Sequence, residues 1–221
     1  VTSVGISYSH FEKDYLEEII TTEYDIFKPD QFELHLFNNG FNVIYHLATT
    51  AGGSYMFRIR PSYDFYDITD ETVQFVLEYQ EYLRSKSFPV PRVLGTTSGQ
   101  LFGTIEAPEG DRIYSIHEVV SGKSIFPMTP VQSQGVGKYL ATMHLLSRDF
   151  TPTTRRTYFT SNQMLEIPRV LIKQHPELFG EHHGWLIEVI ETMRSRLTEW
   201  SLSDFVVIHG DFWHGNVLID T

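Results

Sequence analysis

The octapeptide His209–Asn216, HGDFWHGN, follows the apolar run FVVI and sets an aspartate and an asparagine five positions apart in one polar loop. Phosphoryl transfer from a nucleotide needs a carboxylate that orients an acceptor hydroxyl and takes its proton. It also needs oxygen ligands for magnesium, a hard cation. Asp211 suits the first task, and the amide oxygen of Asn216 suits part of the second. Each also has a plainer reading. Asp211 alone could close an Asx-turn, and Asn216 could be a turn residue. His209, beside Gly210, reads as a brace that hydrogen-bonds to backbone, and Trp213 and His214 as scaffold or rim residues. His182, His183, His209 and His214 raise the question of zinc, but their spacing fits no standard ligand pattern and no HExxH helix is present.

Such a loop needs elements to hold it. FVVI before it and VLI after it read as a buried strand and a second apolar strand. Upstream, SHFEKDYLEEIITTEY has a capping-box signature at Ser9 and Glu12 and reads as a helix. Phe32, Leu34 and Leu36 alternate with polar residues, as do Val43, Tyr45 and Leu47, and 55–60 is a third β-rich run. NNG and TTAGGS separate them, so three antiparallel strands are expected, with Gly52-Gly53 as a hairpin turn. DITDETVQFVLEYQEYLRSK predicts a helix capped by Asp67 or Thr69, with Val73, Val76, Leu77, Tyr79 and Leu83 along one stripe. The prolines of FPVPRVLGT end it. LFGTIEA and RIYSIHEVV predict two further strands around the turn PEGD.

The character changes beyond residue 122. Thr129 as N-cap, Pro130 at the first helical position and Gln132 at the capping-box site open a helix with Val136, Leu140 and Met143 on one face. GWLIEVIETMRSRLTEW predicts another, with Leu186, Val189, Ile190, Met193 and Leu197 in register. The expected class is α+β, with a sheet-bearing lobe over 1–117, a short join at 118–122 and a mainly helical lobe over 123–221. A cleft between two lobes is a common ligand site.

Composition narrows the partners. The 221 residues suffice for a buried core, and 16 Phe and 12 Tyr supply large rings for it. A net charge of −11, from 28 acidic and 17 basic residues, argues against nucleic-acid binding and is compatible with a cationic substrate. There is no cysteine, hence no disulfide framework. No apolar run approaches the length of a membrane span, so the expectation is a cytoplasmic protein with no membrane partner.

With these residues in view, HGDxxxxN after a VVI strand resembles the catalytic loop of the aminoglycoside phosphotransferase and choline kinase family. Protein-kinase catalytic loops use the same Asp-to-Asn interval. The resemblance implies a protein-kinase-like two-lobe fold: an antiparallel five-stranded first lobe and a helical second lobe that is incomplete here. It also implies ATP and Mg²⁺ as cofactors and a small-molecule hydroxyl as acceptor. NNGFNVIYHLATTAGGSYMFRIR is similar to the family's nucleotide-loop hairpin and following strand, with Gly40 close to phosphate. Arg58 stands where many members carry a phosphate-binding lysine, and Glu78 matches the acidic residue that pairs with that cation. EVVSG looks like the hinge, where the Glu118 carbonyl and Val120 amide would meet adenine. His144 falls where members often carry histidine.

On this resemblance Asp211 is the catalytic base and Asn216 a metal ligand. Gly40, Arg58, Glu78, Glu118 and Val120 contact the nucleotide. The family pattern continues with a second metal-binding aspartate on the next hairpin. The only acidic residue after Asn216 is Asp220, too close to fill that role. The expectation is therefore a piece of a longer kinase. The alternative is a short, non-catalytic nucleotide-binding or scaffold protein.

Overall fold

Apolar residues at every second position can be buried on one face of a sheet only, and this chain uses that rule in each of its long strands. The computed structural model describes residues 11–61, 69–154, 161–197 and 207–220. Within them β1 (Phe32–Asn39), β2 (Val43–Thr49), β3 (Ser54–Ile59), β4 (Gly103–Ile105) and β5 (Arg112–Glu118) form one sheet. Its order is β1-β2-β3-β5-β4. Every neighbouring pair is antiparallel, as expected. Leu34, Val43, Leu47, Phe57, Ile59, Tyr114 and Ile116 are buried on one face. Helix α1 (Lys13–Glu23) covers that face with Leu16 and Ile20, followed by Tyr24 and Phe27. Phe27 meets Phe32 and Tyr55 edge-on, at 5.6 and 5.2 Å between ring centres. Leu36, expected inside, is exposed, at a bulge that shifts the β1–β2 register between Leu36 and Asn38.

The β2–β3 turn is a tight hairpin. Gly52 has a φ of +87°, which favours glycine. At Gly53 a Cβ would come within 2.8 Å of both Thr49 Oγ1 and the Tyr55 ring. Helix α1 starts one residue after Glu12, which makes no side-chain cap. Ser9, the expected cap, and Asp67, one of two candidate caps for the next helix, lie outside the described residues. The other candidate is the cap: Thr69 Oγ1 accepts from the Thr72 amide at the start of α2 (Asp70–Ser85).

Helix α2 is buried on two sides. Val73 and Leu77 pack with Val93 and Ile113 beside the sheet. Tyr79 and Leu83 pack with Met143 of α3 (Pro130–Leu146) and with Phe150. The Tyr79 and Tyr82 hydroxyls donate to the Met143 and Leu146 carbonyls at 3.2 and 2.9 Å. The expected stripe needs one correction: Val76 faces solvent, whereas Phe75 is buried against Phe150. The extra apolar contact on the α3 side rotates the buried arc away from position 76. Helix α3 carries the full capping box predicted for Thr129 and Gln132.

The chain divides into two compact units, Val1–Arg155 with Val207–Thr221, and Arg156–Val206. The expected join at 118–122 lies inside the first. The second holds α4 (Ser161–Gln174) and α5 (His183–Leu197) around Leu165, Ile172 and Ile190. Glu166, Arg169, Glu191 and Arg194 form a crossed network of ion pairs between these helices. Helix α4 was not anticipated, because Pro168 stands inside it. Ile190 is buried as read for α5, but Met193 is 46% exposed.

Of the strands expected on either side of the octapeptide, the first lies partly outside the described residues and the second is corrected. Residues 204–206 lie outside the described residues, and Ile208 is 60% exposed rather than buried. After the loop, Ile219 makes a single bridge with Lys123 in place of a strand. Among the described residues no helix is long and apolar enough to cross a membrane.

Phe57 is fully buried between Tyr45 and Tyr114. Phe57→Ala is expected to lower unfolding free energy by about 3–5 kcal/mol in chemical denaturation. Tyr139→Ala, at a ring 57% exposed on α3, is expected to change it by about 0.5 kcal/mol or less.

Candidate active site

Asp211 and Asn216 meet directly. Asn216 Nδ2 donates to both the carbonyl and the carboxylate Oδ2 of Asp211, each at 2.9 Å. Three local features fold the loop back far enough for this. Gly210 has a φ of +78°. His214–Asn216 forms one 3-10 turn. The Asn216 amide donates to the Trp213 carbonyl at 3.0 Å. With its nitrogen engaged, the Asn216 amide turns its oxygen away from Asp211. Both side chains are exposed, so a carboxylate oxygen and an amide oxygen are presented to solvent as hard donors.

The loop is fastened to the segment that leaves β5. Lys123 and Ile219 exchange two backbone hydrogen bonds of 3.0 Å. Ser124 Oγ donates to the His214 carbonyl at 2.8 Å, and Ser121 Oγ donates to Asp220 at 2.9 Å. Gly122, with a φ of +115°, lets the two segments touch: a Cβ there would lie 3.1 Å from Leu218 Cβ and 3.2 Å from the Ile219 backbone. Asp220 is thus engaged in fastening. His214 stacks on Phe126 at 4.6 Å and meets Trp213 at 4.7 Å, which suits a rim or scaffold residue. His209 contacts Phe212 edge-on at 5.5 Å. That ring contact, and no hydrogen bond to backbone, is its brace among the described residues.

In the expected hinge, Glu118 ends β5 and pairs with Arg92 at 3.3 Å. The Val119 amide is used by the Ser54 carbonyl. The Val120 amide has no backbone partner among the described residues and lies in an exposed stretch. Gly40 closes the β1–β2 connection, its amide donating to the Asn42 carbonyl at 3.3 Å. A Cβ at Gly40 would meet only the Asn38 side chain, at 3.4 Å or more, so packing alone does not demand glycine there.

The expected pairing of Arg58 with Glu78 is not formed. Glu78 accepts from the amide and hydroxyl of Thr153 and from Gln74, one helical turn earlier. Its carboxylate thus lies along the α2 edge that faces the end of α3. The Thr153 hydroxyl and the Gln74 amide hold it below the usual carboxylate range, against the opposing effect of burial. Arg58 stands opposite Ser115 on the sheet face away from α1, and its Nε is buried without a hydrogen-bond partner.

That face carries a polar row that belongs to no sequence motif. Arg60, 7% exposed, donates from Nη1 to Ser115 Oγ at 2.9 Å. Ser115 Oγ lies 2.9 Å from His117 Nε2. Gln80 Nε2 donates to the Pro91 carbonyl at 2.7 Å and reaches His117 Nδ1 at 3.3 Å. An imidazole that accepts at Nδ1 carries its proton on Nε2, so His117 donates to Ser115. Burial, then the charges of Arg60 and Arg58, press His117 down to about 3 and keep it neutral. Burial also lowers Arg58, and lowers Arg60 to about 9 with Arg58 adding to the effect. The sequence signal was the alternation in Arg-Ile-Arg and Ser-Ile-His, whose polar members share one face. Two shallow cavities, about 280 and 310 Å³, lie elsewhere, near Thr49–Tyr55 and Tyr24–Thr97. Neither includes Arg58, Asp211 or Asn216.

A family model described as the phosphotransferase enzyme family, APH, matches residues 33–221. An uncharacterized protein of Synechocystis sp. is 26% identical over 209 residues, 93% of this chain and 54% of its own length. One of Deinococcus radiodurans is 27% identical over 153 residues, 67% of this chain and 43% of its own. The chain thus spans about half the length of the curated relatives it matches. Among solved structures, the amicoumacin kinase hAmiN, in complex with AMP-PNP, Ca²⁺ and Ami, superposes with a TM-score of 0.66 at 16% identity, over 95% of this chain and 61% of that one. A spectinomycin phosphotransferase bound to ADP and spectinomycin gives 0.61 at 15%, over 96% and 67%. A microcompartment-associated aminopropanol kinase gives 0.53 at 18%, over 78% and 60%. These likenesses establish the kinase-like α+β fold.

The depressed His117 has a consequence for acid stability. Between its ordinary value of 6.5 and its folded value of about 3, the unfolded chain takes up a proton that the folded chain refuses. Its contribution is therefore intact above about pH 6.5 and is lost as pH falls below it. Denaturant unfolding between pH 7 and 4.5 is expected to show a shallower acid-side loss for His117→Gln than for wild type. The expected difference in slope is up to about 1.4 kcal/mol per pH unit.

Proposed function

The chain belongs to the phosphotransferase enzyme family, and on that premise we propose that the full-length protein moves the γ-phosphate of ATP to a hydroxyl of a small molecule. The observation that carries this reading is the Asp211–Asn216 contact in a loop fastened beside the hinge segment. Asp211 accepts the proton of the acceptor hydroxyl as that oxygen bonds to the γ-phosphorus. The bond from the γ-phosphorus to the bridging oxygen breaks, and ADP leaves. Asn216 Nδ2 holds the carboxylate in line, so it need not be reoriented during the step. The Asn216 amide oxygen, a hard donor held beside Asp211, would be this chain's ligand to magnesium. When bound, the ion neutralises charge on the transferring phosphoryl group.

Around the nucleotide, the Val120 amide and the Glu118 carbonyl are proposed to meet adenine. Gly40 is proposed to give the backbone close access to phosphate, and Arg58 to hold the phosphates as a cation whose buried Nε has no hydrogen-bond partner among the described residues. Glu78 is not part of this set, since Thr153 and Gln74 hold it. The acceptor is proposed to be an aminoglycoside, a choline-like amine, homoserine or a similar alcohol. The acidic balance of the chain, −11, favours a cationic one. The fold is shared with kinases named for amicoumacin, aminopropanol and spectinomycin.

ADP release by the full-length protein, over a panel of amino alcohols and aminoglycosides, tests the reading. Asp211→Ala is expected to lower kcat by about 10²–10⁴-fold while leaving ATP affinity within a few-fold, as befits a general base. Unchanged turnover would remove Asp211 from the chemistry. ATP binding without ADP release from any acceptor in the wild type would favour a nucleotide-binding protein that transfers nothing.

A further inference from the structure

Arg58 on β3 and Arg60, one residue past its end, both converge on Ser115, the first as its cross-strand partner and the second by a hydrogen bond, and no carboxylate among the described residues forms an ion pair with either. Two positions along a strand put their backbones roughly 6.6 Å apart. Desolvating two like charges side by side is unfavourable unless an anion joins them. Arg58 has a buried Nε with no partner among the described residues, and Arg60 donates one N–H to Ser115. Arg60 is, moreover, deliberately held. Gln80 fixes the His117 ring, His117 donates to Ser115, and Ser115 Oγ then faces Arg60 as an acceptor. A chain of three neutral groups orients one guanidinium without neutralising it. This is the arrangement expected of a preorganised oxyanion ligand, not of a residue whose job is to pack.

We infer that Arg60 is a second phosphate-holding residue, which with Arg58 forms a two-guanidinium clamp for a polyphosphate, and that Ser115 and His117 are its positioning residues. The inference rests on the nucleotide reading above and extends it to a residue outside the loop and hinge. A planar guanidinium can engage two oxygens of one phosphate, so two of them match a ligand with consecutive charged phosphates better than a single carboxylate or sulfate. Neutral His117 adds no third positive charge, so the anion is selected by the arginine pair alone. Arg112, close to Arg60 in space, takes no part: it lies on the α1 side, donates to the Arg60 carbonyl at 2.8 Å and pairs with Glu109.

The test measures binding of ATP, ADP, adenosine and inorganic tripolyphosphate to the full-length protein, by calorimetry and by ligand-induced shift of Tm. Arg60→Met is expected to weaken ATP and tripolyphosphate at least tenfold and to leave adenosine unchanged. Arg60→Lys is expected to fall between it and wild type. The ligand-free Tm of Arg60→Met is expected to equal or exceed that of wild type, because a buried repulsion is removed. Ser115→Ala, which leaves both charges in place, is expected to weaken ATP and tripolyphosphate several-fold and adenosine not at all. The clamp is overturned if Arg60→Met or Ser115→Ala binds both polyphosphates as wild type does. It is equally overturned if adenosine weakens in step with ATP while the ligand-free Tm drops, the mark of a structural role. Arg60-dependent binding of tripolyphosphate without any binding of ATP or adenosine would support the clamp and sink the nucleotide reading. ATP binding indifferent to Arg60 would do the reverse.

Discussion

The two-residue period of β3 is the constraint from which the rest of the site follows. Phe57 and Ile59 turn into the aromatic core beneath α1, Arg58 must then turn the other way, and Arg60, just past the strand, reaches Ser115 on that same side. A slip of one residue in register would drive the Arg58 guanidinium into that core and expose the two apolar side chains, so the packing of α1 fixes the side on which charge appears. The core is rich in rings, and ring-on-ring contacts such as Phe57 with Tyr114 at 5.2 Å hold the register firmly. The ring-rich core and the polar row of Arg58, Ser115 and His117 thus occupy opposite faces of one sheet and are specified by the same alternation.

The loop side of the site is organised differently. Nothing large is buried there, and most of its residues are exposed. Order comes instead from short hydrogen bonds, glycine conformations and one close backbone contact. Asp211 is held by an amide that also commits the Asn216 oxygen outward, so a single side chain sets the orientation of both. The polar groups of this loop are therefore aligned before any ligand arrives, which is where positioning gives a catalyst most of its advantage.

Much of this was legible from residues alone. The five strands were marked by alternation and by glycine-bearing turns, and the start of α3 by Thr129, Pro130 and Gln132, because such signals are local. The Asp-to-Asn interval was legible for the same reason. What escaped depends on how distant segments meet. Pro168 hid α4, since a proline in mid-pattern reads as a break unless a partner helix supports the turn around it. The Arg58–Glu78 pairing failed because Glu78 found Thr153, a partner 75 positions away that no motif announces. Arg60, Ser115 and His117 were visible as letters, but only the side-chain hydrogen bonds beside the β3–β5 pair join them. The strand drawn after the loop was inferred from an apolar run, and a run does not form a strand without a neighbouring edge to bond along it.

Gly122 gives the molecule a mechanical property. With no side chain at this position, the backbone leaving β5 rests directly on Leu218 and Ile219, and the paired bonds between Lys123 and Ile219 lock the two together. The strand that bears Ser115 and His117 runs straight into this clasp, and the clasp runs straight into Asn216 three residues upstream of Ile219. Sheet and loop are consequently joined within a few residues: the segment that leaves β5 and the segment that leaves Asn216 share one backbone contact, and a side chain at position 122 would push them apart.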